Sequence, residues 1–253
     1  MTTFVAIGDT HLRSTDPWNI DRLTALDQII DEGLQEPHLG AWLWPGDIFD
    51  ATSTPDDRNA VASRLIRMGA VAPVVICYGN HDAPNDLAIF RNLNAVWPIY
   101  IADAPEVFTV PLATGETAAI FALPYPQRAG FVAAGLNRHD AIQTADQILD
   151  VIFIDAAAKL DAARQAGHLT LMIGHANIVG AVASTGQPQI GQEISVSQAH
   201  LARLGDCVKV FNHIHKHQRI GDAWYVGSLC RMDWGEVEVK GFLRIIVQRE
   251  DAE

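Results

Sequence analysis

The sequence has few cysteines and no long apolar run. Its three cysteines, Cys77, Cys207 and Cys230, are widely spaced, odd in number and outside any Cys-x-x-Cys pair. This argues against a thiolate zinc site, and we expect buried free thiols in a reducing cytoplasm. No apolar run reaches the roughly 18 residues of a membrane-spanning helix, and the N-terminus lacks the basic start of a signal peptide. We therefore expect a cytoplasmic protein without membrane contact.

Basic residues are also scarce. The chain has 18 Lys and Arg against 30 Asp and Glu, which gives a formal net charge of −12 at pH 7. Nucleic-acid binding usually requires a basic surface, so the bulk charge weakens long-range attraction to DNA. It does not exclude DNA, because bound divalent cations would place positive charge where a substrate phosphate lies.

Strand-like and helix-like segments alternate along the 253 residues, 49% of which are hydrophobic and 19% charged. We find no repeat or linker and therefore expect one domain over residues 1–253. The segment 180–191 is predicted to be a loop, either at the active site or elsewhere on the surface. Helices are predicted over 21–34, 57–68, 87–93, 137–165 and 197–204. Strands are predicted over 4–7, 41–44, 71–78, 169–173, 207–211, 223–226 and 242–247, with a meander of short strands between 99 and 124. The alternation predicts an α/β layered fold with a sheet pair or a mixed sheet.

Five short polar blocks follow apolar stretches. They are Gly8-Asp9-Thr10-His11, Gly46-Asp47-Ile48-Phe49-Asp50, Gly79-Asn80-His81-Asp82, Gly174-His175 and Asn212-His213-Ile214-His215. Each block alone is weak evidence, since Gly-Asp is a common turn and His-x-His occurs without metal. Ligands gather where loops leave the carboxyl ends of strands in α/β folds, so the blocks are expected to meet. Together they predict a two-metal hydrolase.

The side chains in these blocks are the ligands that hard divalent cations require, including carboxylates able to bridge two ions. Asp9 and His11 lie two residues apart, so in an extended turn their side chains point the same way and can chelate one ion. His213 and His215 repeat that spacing. The other candidate ligands are Asp47, which follows the flexible Gly46 and suits the bridging role, Asn80 and His175.

In this order, the blocks resemble the motif series of the calcineurin-like metallophosphoesterase superfamily over residues 8–215. The resemblance implies a four-layer αββα sandwich with a binuclear centre, most often of Mn²⁺, with Fe, Zn or Co as alternatives. The implied ligands are Asp9, His11 and His215 for one ion, Asp47 as the bridge, and Asn80, His175 and His213 for the other. It also implies that His81 is the catalytic histidine, that Asp50 orients its imidazole, and that Asp82 is a candidate hydrogen-bond partner.

The segment after the last block narrows the resemblance. Residues 212–216, 225–229, 231–236 and 240–242 resemble the Mre11/SbcD DNA repair nucleases. The bland alternative for this segment is a hairpin that completes the sheet, and both interpretations can hold at once. Asn212 departs from the glycine usual there. The chain also stops soon after Val247, so we expect a domain that lacks the capping domain of that branch. The resemblance implies single- or double-stranded DNA as substrate, an ATPase of the Rad50/SbcC type as partner in trans, and a possible homodimer through residues 21–34 or 87–93.

Three functions remain open at this point. The first is a Mn²⁺-dependent DNA exonuclease or endonuclease acting in repair, recombination or phage DNA metabolism. The second is a small-molecule or cyclic nucleotide phosphodiesterase or phosphatase, which the acidic charge and the missing cap favour. The third is a metal-binding scaffold for a partner ATPase, against which the intact His81 and Asp50 argue.

Overall fold

Two β-sheets pack face to face, and helices cover the outer face of each. The computed structural model describes residues 1–126, 138–187 and 193–248, with the backbone alone for 138–144. The result is a layered α/β fold, as expected. Within the described residues, no helix is both long enough and apolar enough to cross a membrane. Cys77 is buried as predicted, whereas the free thiols of Cys207 and Cys230 are half-buried.

The first sheet has five strands in the order β13-β1-β2-β3-β4. These are β1 (Thr2–Ala6), β2 (Leu39–Trp44), β3 (Val74–Cys77), β4 (Ile99–Ala102) and β13 (Leu243–Val247). Strands β1 to β4 pair in parallel, and β13 is antiparallel to β1. The predicted meander is therefore wrong at its start, because β4 extends this sheet beside β3 instead of joining the strands that follow it.

Helices α1 (Asn19–Leu34) and α2 (Pro55–Met68) cover the outer face of this sheet, and a short 3-10 helix follows at Ala88–Asn92. Both α-helices begin two residues before their predicted starts. Thr54 caps α2 reciprocally with Asp57, which satisfies backbone N–H groups at the first turn. The buried residues of both helices, including Leu26, Ile30, Val61 and Leu65, pack on one side of the sheet. They form an apolar core there with sheet residues such as Trp42.

The second sheet has six strands in the order β11-β12-β10-β7-β6-β5. These are β5 (Glu106–Pro111), β6 (Thr117–Leu123), β7 (Leu169–His175), β10 (Val208–Asn212), β11 (Gln218–Ile220) and β12 (Ala223–Tyr225). Strands β6, β7, β10 and β12 are parallel to their neighbours in that series. A separate short pair is formed by β8 (Asn177–Ile178) and β9 (Ser195–Val196).

Helices α3 (Arg138–Gln165) and α4 (Gln198–Arg203) lie on the outer face of the second sheet. Ser197 caps α4, so the helix begins one residue after its predicted start. From residue 145 onward, where its side chains are described, α3 buries Ala145, Leu149, Phe153, Ala156 and Leu160. Ile148, three residues after Ala145, is 37% exposed, whereas Phe153 is fully buried. The predicted start at residue 137 lies outside the described residues.

A third apolar cluster fills the space between the two sheets. It contains Phe4, Leu43 and Val75 from the first sheet, and Ile120, Ile173 and Val210 from the second. Helix, sheet, sheet and helix therefore form four layers around three cores, which is the predicted αββα arrangement. Parallel strands in both sheets end at the same edge, and that edge carries the polar blocks.

Candidate metal centre

Five loops meet at the carboxyl ends of β1, β2, β3, β7 and β10. They surround a cavity of about 510 Å³. The candidate residues that line it are His11, Asp47, Asp50, Asn80, His81, His213 and His215. The other two, Asp9 and His175, are fully buried and contact the lining residues. The structure therefore brings together every site residue that the sequence selected.

Asp9, Asp47 and His175 form a buried cluster whose potential ligand atoms lie within 4.8 Å of one another. His175 Nε2 is 3.2 Å from Asp47 Oδ2, and its Nδ1 is 3.8 Å from Asp9 Oδ1. Nδ1 donates to the carbonyl oxygen of Pro45 at 2.7 Å, which turns Nε2 toward Asp47. A metal-binding imidazole usually donates its second N–H in this way, so the orientation of His175 suits a ligand.

His11, Asp50 and His81 form a second cluster of the same size. His11 Nδ1 lies 3.4 Å from Asp50 Oδ1, and this contact lowers the pKa of Asp50 to about 2. His81 Nδ1 donates to the main-chain carbonyl oxygen of Asp50 at 2.9 Å, whereas Asp50 Oδ1 is 3.9 Å away. Asp50 thus holds the His81 ring through its backbone, while its carboxylate faces His11.

The amide oxygen of Asn80 lies between two imidazoles. It is 3.0 Å from His175 Nε2 and 2.9 Å from His213 Nδ1. The other ring nitrogen of His213, Nε2, is 3.0 Å from Glu193 Oε2. The three residues predicted to complete the second ion site, Asn80, His175 and His213, are therefore in contact.

His215 joins the centre from the opposite side. Its Nε2 is 3.1 Å from His11 Nε2, and its Nδ1 is 3.5 Å from Glu236 Oε1. Glu236 is 1% exposed and pairs with Lys240 Nζ at 2.7 Å. Burial alone would raise the pKa of Glu236, but its contacts with His215 and Lys240 lower that pKa to about 2. Glu236 therefore supplies a buried negative charge that orients the His215 ring.

The loops hold several site residues in unusual backbone conformations. His11, Asp47 and His213 have φ angles of 45°, 49° and 98°. Non-glycine residues rarely adopt positive φ, and such strain concentrates at functional sites where the surroundings enforce it. Gly79 permits a close approach, because a Cβ there would lie 2.1 Å from Asp47 Oδ1. Only glycine at position 79 leaves room for the Asp47 carboxylate.

Asp82 connects two of the loops. Its Oδ1 accepts a hydrogen bond from the backbone N–H of Phe49 at 3.0 Å, and Oδ2 accepts one from Gly79 N–H at 2.9 Å. Burial, and then the nearby Asp47 charge, raise the pKa of Asp82 to about 7. Asp82 thus fastens the loop after β2 to the loop after β3, which keeps Asp47 beside Asn80.

Asn212, the residue that departs from the expected glycine, ties the two sheets together. It is fully buried, and its Nδ2 donates to the carbonyl oxygen of Ile7 at 3.1 Å. Ile7 follows β1 in the first sheet, and Asn212 ends β10 in the second. The asparagine therefore fixes the His213–His215 turn against the Asp9 loop, where the backbone N–H of His213 donates to Asp9 Oδ1 at 3.2 Å.

The electrostatics of the centre suit divalent cations. Burial raises the pKa of Asp9 to about 6. Burial opposes ionisation of Asp47 as well, but His175 and His11 lower its pKa below the usual range. Conversely, burial alone would lower the pKa of His175, yet Asp47 and Asp9 raise it to about 9. Buried carboxylates require compensating positive charge, and the set of carboxylate, amide and imidazole donors suits first-row divalent metals.

Three residues of the site were not found from the sequence. Gln187 Nε2 donates to the His213 carbonyl oxygen at 2.6 Å, and its Oε1 accepts from His215 N–H at 3.1 Å. Gln187 belongs to the predicted loop 180–191, whose last residues from 188 onward lie outside the described ones. Glu193 and Glu236 are the others. Glu236 ends the segment 231–236 that carries the resemblance, but the resemblance assigned it no role. A single glutamine or glutamate in a loop, such as Gln187 or Glu193, carries no local signal for these contacts.

Two further histidines have structural roles. His200 is 3% exposed, its Nδ1 accepts from Ser197 N–H at 3.2 Å, and its ring stacks on Phe153. His217, two residues after His215, donates from Nδ1 to the Tyr225 carbonyl oxygen at 2.9 Å and stacks on Trp224. It is not among the residues that line the cavity.

Comparison with known proteins agrees with this geometry. A family model described as calcineurin-like phosphoesterase matches residues 2–217, which include every candidate site residue. A solved structure, the crystal structure of TT1561 of Thermus thermophilus, is similar over 90% of this chain and 90% of its own, with 12% sequence identity and a TM-score of 0.45. Similarity at that level carries no argument about fold or function.

Proposed function

Because the chain belongs to the calcineurin-like phosphoesterase family, and hence to the metal-dependent phosphoester hydrolases, we propose that it is a two-metal phosphodiesterase whose substrate is DNA. The proposal of DNA rests on the resemblance of residues 212–242 to the Mre11/SbcD nucleases. We further propose Mn²⁺ as the metal and an ATPase of the Rad50/SbcC type as a partner in trans.

The residues that would hold the two ions are those whose donor atoms converge. Following the resemblance, we assign Asp9, His11, His215 and Asp47 to one ion, and Asn80, His175 and His213 to the other. Asp47 Oδ2 lies 3.6 Å from His11 Nε2 and 3.2 Å from His175 Nε2, which supports a shared role for Asp47. The first group is linked by the 3.1 Å contact of His11 with His215 and the second by the contacts of Asn80, while Asp9 itself lies 3.8 Å from His175. Bound ions would activate a water molecule and stabilise the negative charge on the phosphoryl oxygens.

The exposure and orientation of the His81 side chain are the observation that favours an enzyme over a metal-binding scaffold. Its side chain is 42% exposed and lines the cavity, unlike the buried His175. Its Nδ1 is fixed by the Asp50 carbonyl oxygen, so Nε2 is the nitrogen free to meet a substrate. In its protonated form, His81 can donate from Nε2 to the leaving oxygen as a general acid.

A second candidate function is hydrolysis of small nucleotide phosphodiesters. The net charge of −12 favours it, because the surface lacks the basic excess that tracks a long DNA backbone. In this case the cavity of about 510 Å³, which falls in the range of small-molecule sites, would hold the whole substrate.

One assay separates these functions. The purified protein is incubated with Mn²⁺ and either labelled single- or double-stranded oligonucleotides or bis(p-nitrophenyl) phosphate. Cleavage of oligonucleotides that disappears in His81→Ala, and persists in the exposed control His38→Ala, supports a nuclease. Turnover of the small ester without any oligonucleotide cleavage supports the second candidate. If His81→Ala retains full activity on both substrates, the catalytic assignment fails.

A further inference from the structure

A second cavity of about 260 Å³ adjoins the candidate metal centre. Two tryptophans line it: Trp18, which precedes α1, and Trp234, in the segment between β12 and β13. Arg22 and Met232 line both this cavity and the cavity of the metal centre, so the two spaces share a wall. A molecule that occupied both cavities would place one group beside the candidate metal ligands and another beside the two tryptophans.

The two tryptophans are largely exposed and contact each other edge-to-face. Trp234 is 91% exposed and Trp18 is 53% exposed. Their ring centroids lie 5.9 Å apart with an interplanar angle of 84°, so the two indoles form an aromatic corner. An indole left in water gives up the favourable burial of a large apolar surface, and exposed aromatic side chains next to a cleft are typical of binding surfaces.

The turn that carries Trp234 is anchored to the metal centre. Glu236 accepts a hydrogen bond from Met232 N–H at 3.1 Å, on one side of Trp234, and pairs with Lys240 on the other. Lys240 Nζ also donates to the carbonyl oxygen of His215 at 3.0 Å. These contacts hold the backbone of the turn that carries Trp234 close to a candidate metal ligand, as a binding subsite requires.

Resting on the proposed function, we infer that this cavity binds an unpaired nucleobase next to the scissile phosphate, so that the protein acts on single-stranded nucleic acid or on frayed ends. Its volume is below the roughly 300–1,000 Å³ of drug-sized sites, which suits one flat ring system. An unpaired base exposes both faces for stacking on aromatic side chains, whereas bases within a duplex do not.

Charged groups at the cavity also suit a nucleobase. The carboxylates of Asp21 and Asp233 and the guanidinium of Arg231 line it beside the indoles. Carboxylates accept from the exocyclic amino groups of bases, and a guanidinium donates to their carbonyl oxygens. Arg22, which is 7% exposed, lies on the wall that the two cavities share, where its guanidinium pairs with Asp16 at 2.9 Å and donates to the carbonyl oxygen of the candidate ligand His11.

Equilibrium binding in the inactive His81→Ala background, with Mn²⁺ present, tests the inference without turnover. The ligands are a labelled oligothymidylate and an abasic oligonucleotide of the same length. We expect the intact cavity to favour oligothymidylate by about tenfold, which is the lower part of the range for one stacked base. Trp234→Ala should abolish this preference, and Trp234→Phe, which keeps an aromatic face, should retain most of it. Ile20→Ala is the matched control, because Ile20 is 74% exposed beside Trp18 but lines neither cavity.

Three results would overturn the inference. One is an unchanged preference for oligothymidylate in both Trp234→Ala and Trp18→Ala. Another is an equal loss of affinity for both oligonucleotides, which would mean that the indole supports the fold or the backbone contact. The last is a dimer that sedimentation detects in the parent protein and that Trp234→Ala dissociates. The two tryptophans would then contact a second copy of the chain instead of a nucleobase. If binding depends on Trp234 but the protein with its histidine intact cleaves no phosphodiester, the subsite stands and only the proposed function fails.

Discussion

Replacing Glu236 by glutamine should weaken metal binding without unfolding the protein. Glu236 is 1% exposed, and its carboxylate lies 3.5 Å from His215 Nδ1 and 2.7 Å from Lys240 Nζ. Gln keeps the shape of the side chain but removes the negative charge that orients the imidazole. Loss of such a supporting partner typically reduces metal affinity by about 10–100-fold.

The expected energies follow from these contacts. At saturating Mn²⁺, a 10–100-fold rise in Kd lowers the metal-induced stabilisation by about 1.4–2.7 kcal/mol. In metal-free protein, Lys240 keeps its hydrogen bonds to the His215 carbonyl oxygen and to Ser228 Oγ. We therefore expect the free energy of unfolding of metal-free Glu236→Gln to be only about 1–3 kcal/mol below that of the metal-free parent protein.

The assay combines calorimetric titration of Mn²⁺ with urea unfolding in the presence and absence of metal. Asp222→Asn is the matched control, because Asp222 pairs with the buried Lys209 at 2.6 Å and Lys209 Nζ also donates to two backbone carbonyl oxygens. That variant should lose stability but keep its Mn²⁺ affinity. If Glu236→Gln binds Mn²⁺ as tightly as the parent protein while losing stability, Glu236 only anchors its turn and the reasoning is refuted.

Three further predictions test the centre and the fold. His81→Ala should lower kcat by about 10²–10⁴-fold and leave Mn²⁺ affinity within error, because His81 is proposed to move a proton and not to hold metal; a parallel loss of Mn²⁺ binding would contradict this. Gly79→Ala should abolish tight metal binding, since its Cβ would lie 2.1 Å from Asp47 Oδ1, while Gly241→Ala, whose Cβ meets nothing within 4 Å, should bind normally. The pKa of Glu36 is lowered from 4.5 by its hydrogen bond with Arg244. That contact therefore stabilises the fold above pH 4.5 and is lost as the pH falls through the lowered pKa, so the unfolding free energies of the parent and Arg244→Ala should converge in acid; a difference that stays constant with pH would refute it.

The strand and helix pattern was largely predictable from the sequence, because burial imposes periodicity. Every long predicted helix of the described chain is present, and the bounds differ by one or two residues where caps such as Thr54 and Ser197 set them. The sheet order was not predictable at β4. Its run Ile99–Ala102 is apolar like its neighbours, and pairing with β3 is a long-range contact that no local pattern encodes. The burial of Phe153 instead of Ile148 on α3 was also not predictable, because tertiary packing and not the local pattern decides it.

The location of the site residues was predictable for a similar reason. Polar blocks after apolar strands must lie at the carboxyl ends of a parallel sheet, and there they meet. Their partners were not predictable, because Gln187 and Glu193 lie in a loop and Glu236 beyond it. The same limit applies to Asp50, whose backbone carbonyl oxygen, and not its carboxylate, makes the closer contact with His81. Motif resemblance identifies a residue type at a position but not the atom that makes the contact.

The centre lies on the boundary between the two sheets, and this couples metal binding to folding. Asp9, Asp47 and Asn80 follow strands of the first sheet, while His175 and the His213–His215 turn follow strands of the second. The direct links between the sheets at this edge include the Asn212 hydrogen bond to Ile7 and the bridge between Asp9 and Ser228. Ions held by ligands from both sheets would add a crosslink where buried carboxylates otherwise weaken the interface, and their binding free energy would stabilise the folded state. We therefore expect chelation to destabilise the contact between the sheets before it affects the helices on the outer faces. Hydrogen exchange should show this first at the amides of Asp9 and His213.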